Sequence, residues 1–338
     1  MIKKISYEDK IFVAGATGMV GKSVVKKLLE NGYGKRESGG KLFIPTRKEL
    51  NLIDQKSVQE WFEINKPDVV ILAAAKVGGI IANSSYPFDF ISENLKIQTN
   101  VIESSWRSGV RRFLFLGSSC IYPKLCPQPI KEEYLLNGEL EKTNEFYAIA
   151  KIAGIKLCES LRIEHGFNTI CLMPTNLYGR GDYYNTEYGH VLPSLIKKFY
   201  DAKKNNLKKV TCWGTGEALR EFLFVDDLAD ACIYTLENWE PNQENYPKNK
   251  DGKALTWLNV GSPFEISIKS LASKISKYMR YEGEIIWDKS KPDGTPRKKL
   301  DNSKMTDLGW SAKTNLDEGI KLTIKYFENE LQDNILRI

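Results

Sequence analysis

The chain has 338 residues, 42% hydrophobic and 27% charged, enough to bury a substantial core in one large domain or two unequal ones without disulfides. Its formal charge of +6 is modest and its lysines are scattered, notably through 196–209 and 289–304, with no basic stripe interleaved with aromatics; this argues against nucleic-acid binding. No apolar run reaches the length of a membrane span, and the lysines near the start lead into a glycine-interrupted run with no cleavage site, so neither an anchor nor a leader is expected.

Short β-branched or aliphatic runs at Lys10–Ala14, Lys41–Pro45, Asp68–Ala74, Arg111–Gly117 and Asn168–Met173 read as strands. Between them Val20–Asn31, Gln55–Asn65 and Asn94–Ser108 carry helical spacing. Repeated strand–helix units predict an α/β fold built on a doubly wound parallel sheet of the Rossmann type, whose ligands lie beyond the carboxyl ends of the strands. After Met173 the pattern loosens into Gly-, Asn- and Tyr-rich sequence. The division expected is a nucleotide-binding domain over 1–178, rejoined by about 222–240 through a helix at Val225–Glu237, and a smaller α/β domain over 179–338. Gly34–Gly40 reads as an exposed, functionally neutral excursion, and Glu240–Lys253 as a loop.

Beyond the first strand stands Gly15-Ala16-Thr17-Gly18-Met19-Val20-Gly21, then a helix. Such a glycine triplet between strand and helix permits a tight turn, close approach of a pyrophosphate and close helix packing, with the anion on the helix N-terminus. At the end of the second strand, Arg47 and Lys48 stand where an acid would hold a ribose hydroxyl; a guanidinium there suits a 2′-phosphate, so NADP(H) is favoured over NAD(H). Ala74, in the Ala-Gly run after the third strand, lets the chain pass near the dinucleotide, although tight packing explains it equally well.

Leu116-Gly117-Ser118-Ser119 closes the fourth strand, and the following helix carries Tyr147 and Lys151, an i, i+4 pair on one face. A ketone accepting hydride needs a proton on its oxygen. A phenol supplies one at neutral pH if a neighbouring cation lowers its pKa, and Ser118 adds a hydrogen bond to the same oxygen. Cys120, Cys126, Cys158, Cys171, Cys212 and Cys232 show no CxxC pairing, and with only His165 and His190 they offer no metal-ligand spacing; no metal is expected, and a reducing, cytoplasmic setting is.

Together the glycine triplet, Ser118 and Tyr147-xxx-Lys151 resemble the extended short-chain dehydrogenase/reductases. More narrowly, AAAKVGGI at 73–80, GSSCIYPK at 117–124, PTNLYG at 174–179, WGTG at 213–216, REF at 220–222 and SKPDGTPRK at 290–298 resemble the GDP-L-fucose synthase family over nearly the whole chain. The resemblance implies C3 and C5 epimerisation of GDP-4-keto-6-deoxy-D-mannose by Cys120 and His190, followed by NADPH-dependent reduction at C4. Without it, Cys120 reads as a small buried residue and His190 as a helix cap. It further places Pro174, Asn176, Leu177 and His190 against the cofactor. Lys198, Trp213, Arg220, Lys291 and Asp293 are placed against the GDP-sugar, with Lys198 where the family often has arginine, and a homodimer through the helices at 94–108 and 143–165 is implied. Two alternatives stay open: an NAD-dependent 4-epimerase of another sugar nucleotide, against which Arg47 and the Cys120–His190 pair speak, and a non-catalytic dinucleotide sensor, which would not need Tyr147, Lys151 and Ser118.

Overall fold

A computed structural model describes residues 4–240 and 246–338. The elements run β1 (Lys10–Ala14), α1 (Met19–Glu30), β2 (Lys41–Phe43), α2 (Gln55–Asn65), β3 (Val69–Leu72), α3 (Ile80–Ser85), α4 (Pro87–Arg107), β4 (Arg112–Leu116), α5 (Glu145–His165) and β5 (Thr169–Pro174). There follow β6 (Asn176–Tyr178), α6 (Val191–Lys204), β7 (Lys209–Trp213), β8 (Leu219–Phe224), α7 (Val225–Asn238), β9 (Trp257–Val260), β10 (Glu265–Ser267), α8 (Ile268–Met279), β11 (Glu284–Asp288), β12 (Arg297–Lys298), α9 (Ser303–Asp307) and α10 (Leu316–Gln332).

Six strands form one parallel sheet in the order β2-β1-β3-β4-β5-β9. Every residue of β3, β4 and β5 is buried, as largely apolar strands are when helices cover both faces. One face packs on α1 and α7, the other on α2, α4 and α5. The strand order reverses between β1 and β3, and that switch point opens the crevice expected beyond the strand ends.

The five predicted strands are present, with ends shifted by a few residues, and α2 has the predicted bounds. Helix α4 starts at Pro87, not Asn94, because proline at the first helical position loses no hydrogen bond and has its φ already set. The sheet's last strand, β9, comes from beyond the predicted return at 222–240, and α9 and Trp310 pack beneath it. Residues 34–40 form a short 3-10 turn at the β2 edge, where Gly34 packs on Leu42. Of the predicted Glu240–Lys253 loop, 241–245 lie outside the described residues.

The second layer is smaller. Strands β6, β10 and β12 gather on β8, β7 pairs with β11, and α6, α8 and α10 enclose a separate core around Phe199, Phe222 and Phe327. Glu221 on β8 ties this layer to the loops above the main sheet. Its buried carboxylate accepts the amides of Ser262 and Leu300, although burial still raises its pKa. No helix among the described residues is long and apolar enough to cross a membrane, and no group there could hold a metal ion.

Candidate active site

The crevice begins at the turn after β1. Gly15 has φ +88°, and a Cβ there would lie 2.7 Å from the backbone N of Ala74, so only glycine lets the β1 and β3 loops meet. A Cβ on Gly21 would lie 2.0 Å from the Gly15 carbonyl oxygen, which fixes how closely α1 starts against the strand. Gly18, the N-cap of α1, would instead meet only that oxygen, at 3.4 Å. No side chain caps the helix and its first turn holds no acid, so its backbone N–H groups and positive end face the crevice. These features fit a dinucleotide pyrophosphate. Thr17 is exposed beside this turn, Ala16 is buried beneath it, and Met19 and Val20 open the helix. Arg47 is exposed on the turn after β2, which the Glu49 carboxylate holds by accepting the Thr46 amide at 2.7 Å.

At the end of β4, Ser118 has an extended backbone and its Oγ accepts the Cys120 amide at 3.2 Å. Lys151 is 4% exposed, and its Nζ donates to the Leu116 carbonyl at 2.8 Å while lying 4.7 Å from the Phe115 ring centre. Burial brings this ammonium down to about 8, opposed by the charge of Cys171. The Tyr147 phenol moves the other way: burial and the charge of Cys120 raise its pKa far above its ordinary value, opposed by a hydrogen bond with Ser118. The lowering expected from Lys151 is not found, because that ammonium sits 5.9 Å from the tyrosine ring centre and is engaged by Leu116. The phenol therefore keeps its proton at neutral pH.

Cys120 is half-buried, and two donors reach its Sγ at 3.3 Å: the Asn144 side-chain amide and the Lys298 ammonium. His190 is the N-cap of α6, an exposed residue whose imidazole nonetheless loses part of its hydration. This desolvation, aided by the Lys298 charge, lowers its pKa. Lys298 thus acts electrostatically on both predicted epimerising groups.

Farther out, Asp293 accepts the Thr215 amide and hydroxyl, both at 2.8 Å, and its carbonyl accepts Arg220 Nη2 at 3.0 Å. Burial lowers the Arg220 pKa, against the opposing charges of Asp293, Glu141 and Cys120, so its guanidinium belongs to the same electrostatic site as the thiol. The Lys198 and Lys291 ammonium groups lie 5.1 and 5.7 Å from the Trp213 ring centre. Asn176 donates to the Glu221 carbonyl at 2.9 Å, so its amide helps bind β6 to β8. Pro174 and Leu177 flank it, at the end of β5 and within β6.

Residues 11–247 match the NAD dependent epimerase/dehydratase family. The chain belongs to that family. It is 50% identical to GDP-L-fucose synthase 1 of Arabidopsis thaliana, over 94% of this chain and 93% of that one. It is 44% identical to the GDP-L-fucose synthase of Escherichia coli (strain K12), over 96% and 98%. A crystal structure of a GDP-L-fucose synthetase from Naegleria fowleri bound to NADP superimposes with a TM-score of 0.84 at 27% identity, covering 99% of this chain and 98% of that one.

In this member of the family, the sequence alone did not assign the two donors at Cys120. Asn144 stands at the N-cap of α5, three residues before Tyr147, and an asparagine at a helix start reads as a cap. It caps nothing here and turns its amide to the sulfur instead. Lys298 ends the PDGTPRK run, but it meets Cys120 only because β12 folds onto β8.

Proposed function

We propose that the protein makes GDP-L-fucose from GDP-4-keto-6-deoxy-D-mannose, inverting C3 and C5 and then reducing the C4 ketone with NADPH. The observation that carries this reading is the convergence of Cys120, Lys298 and His190 on the crevice that Ser118, Tyr147 and Lys151 also line. A simple C4 reductase needs only the second set. The identities to GDP-L-fucose synthases over nearly full length support it independently.

Protons on carbons beside a ketone are removable because the enolate is stabilised. Cys120 takes each proton from one face, with Lys298 and Asn144 offering donors to the sulfur, and His190 returns one to the other face. The turn after β1, with α1, holds the dinucleotide diphosphate, Arg47 the 2′-phosphate and Lys151 the nicotinamide ribose. Bound NADPH supplies the hydride. Ser118 positions the C4 oxygen and Tyr147 gives it a proton, while Arg220 and Lys198 hold the GDP diphosphate and Trp213 covers the base or ribose.

Purified protein is expected to oxidise NADPH only when GDP-4-keto-6-deoxy-D-mannose is added; no oxidation with authentic substrate would sink the reading. Arg47→Ser should raise KM for NADPH by about tenfold or more, consistent with a charge-assisted contact, and leave KM for NADH unchanged. A parallel rise for both cofactors would remove Arg47 from the phosphate site.

Since the Lys151 ammonium is brought down to about 8, its charge is present below that pH and lost as pH rises through it. Single-turnover hydride transfer should therefore fall above pH about 8. Lys151→Arg, slower but always charged, should lose that break. A profile flat to pH 10 in the unsubstituted enzyme would exclude a role for this charge.

We further place the protein in the cytoplasm, on the support of its free thiols, and read it as a homodimer. Phe88 on α4 is 74% exposed, and Phe146 and Ile149 on the adjoining α5 add exposed apolar surface, which a two-fold pairing of these helices would cover. Light scattering should return twice the chain mass of 38.5 kDa. A monomer at micromolar concentration would reject the pairing.

A further inference from the structure

His190 ends a loop, residues 179–189, that belongs to neither flanking element, and how that loop is held decides where the imidazole stands. Its second half braces itself. Asn185 Oδ1 accepts the amides of Glu187 and Tyr188, at 2.9 and 2.7 Å, and the Asn185 carbonyl accepts the Gly189 amide and the Ser194 hydroxyl. The Tyr188 carbonyl also takes the Gly79 amide at 2.8 Å. From Asn185 to the first turn of α6 the chain is therefore held by its own bonds, by Gly79 and by the packed α6, and the remaining hold on it comes from what precedes it.

What precedes it is fixed by α10 and the segment after it. Glu330 Oε1 accepts the Gly181 amide at 2.9 Å, and Arg337 Nη1 donates to the Gly181 carbonyl at 2.9 Å. Arg337 also pairs as an isolated β-bridge with Tyr183, and its carbonyl takes the Tyr184 amide at 2.8 Å. Both polar backbone groups of Gly181 are thus held by side chains more than a hundred residues away. Below them Tyr184, fully buried, packs on Phe327 of α10 with ring centres 4.9 Å apart and the rings tilted by 56°. Asp182 and Glu330 are 3% and 7% exposed, each with one carboxylate oxygen that no protein group reaches; burial raises the pKa of both, against which the Arg337 charge favours their ionised forms.

We infer that Arg337 and Glu330 are positioning residues for His190, setting through Gly181 and Tyr184 the register of the loop that delivers the imidazole to the substrate. This rests on the reading of His190 as an epimerising group. Neither residue approaches the reacting carbons, so their effect belongs on the epimerisation rate and not on nucleotide binding. A group displaced by an ångström loses proton-transfer efficiency steeply.

The test uses the full chain with NADPH bound and GDP-4-keto-6-deoxy-D-mannose in deuterium oxide, reading label entry at C3 and C5, KM, the NADPH Kd and Tm. Arg337→Ala is expected to slow label entry by about tenfold or more with KM and the NADPH Kd within about twofold of wild type. Arg337→Lys, which can still donate to the Gly181 carbonyl, should recover most of that loss. Glu330→Gln, which keeps an acceptor for the Gly181 amide, should stay near wild type where Glu330→Ala does not. Should Arg337→Ala fail to fold, Arg337→Gln read at the same step takes its place, since it retains a donor but no charge and is expected to lie between the lysine variant and the roughly tenfold loss expected of alanine. Label entry at the wild-type rate in the alanine or glutamine variants overturns the inference, as does a fall matched in NADPH affinity and unrescued by lysine, which marks a merely structural role. Wild-type protein that admits no label fails the epimerase reading itself, and this inference with it.

Discussion

Replacing Tyr147 by phenylalanine is expected to lower NADPH-dependent reduction by about 10²–10⁴-fold, the usual worth of a positioned general acid, while C3 and C5 protons continue to exchange with solvent. The phenol is the group that must protonate the C4 oxygen as hydride arrives; it holds that proton throughout the neutral range, although burial makes it a weaker donor. The ring itself is kept. Its edge-on contact with Phe90, with centres 6.4 Å apart, survives in phenylalanine, and Ser118 Oγ stays fixed by the Cys120 amide, so the ketone is still received in place. KM and Tm should then change little while the hydride step fails. Single-turnover NADPH oxidation measures one half of this statement and mass-detected deuterium entry the other. Equal losses in both would mean that Tyr147 serves substrate placement and not proton delivery.

The parts of the site that were readable in the sequence are those whose chemistry is local. The glycine triplet lies within one turn and the Tyr147–Lys151 pair within one helical turn, and each specifies its geometry through neighbouring backbone. Strands β3, β4 and β5 were equally plain, because burial on both faces favours largely apolar runs. The start of α4 was hidden by Pro87, which reads as a breaker yet is favoured at a first helical position.

The electrostatics were not readable. Burial is a property of the packed whole, and it reverses the expected direction of Tyr147, where Lys151 spends its ammonium on the Leu116 carbonyl. Lys298 reaches Cys120 across 178 positions of sequence, through a two-residue strand too short to show any period. Strands β6, β10 and β12 of the second layer are only two or three residues long, so much of what that layer brings to the crevice had to be inferred from resemblance and could not come from pattern.

Replacing Cys120 by serine is expected to abolish deuterium entry at C3 and C5, by about 10³-fold or more, with the NADPH Kd unchanged. Serine is nearly the same size, and the Cys120 amide still caps onto Ser118, so the turn at the end of β4 is preserved. What is lost is the base. A hydroxyl is a far weaker acid than a thiol, and even with the Lys298 ammonium and Asn144 amide directed at it, it stays protonated at neutral pH and cannot accept a proton from carbon. The Lys298 charge that faces the thiol also acts on His190 and stays in place in the serine variant. With no base at the sulfur to remove either proton, neither carbon is inverted. Any NADPH oxidation that remains must come from direct reduction of the uninverted ketone, and its product would be a GDP-6-deoxyhexose with the original C3 and C5 configuration. Deuterium still entering both carbons at the wild-type rate would assign the base to another group in the crevice and leave Cys120 as a packing residue at the strand end.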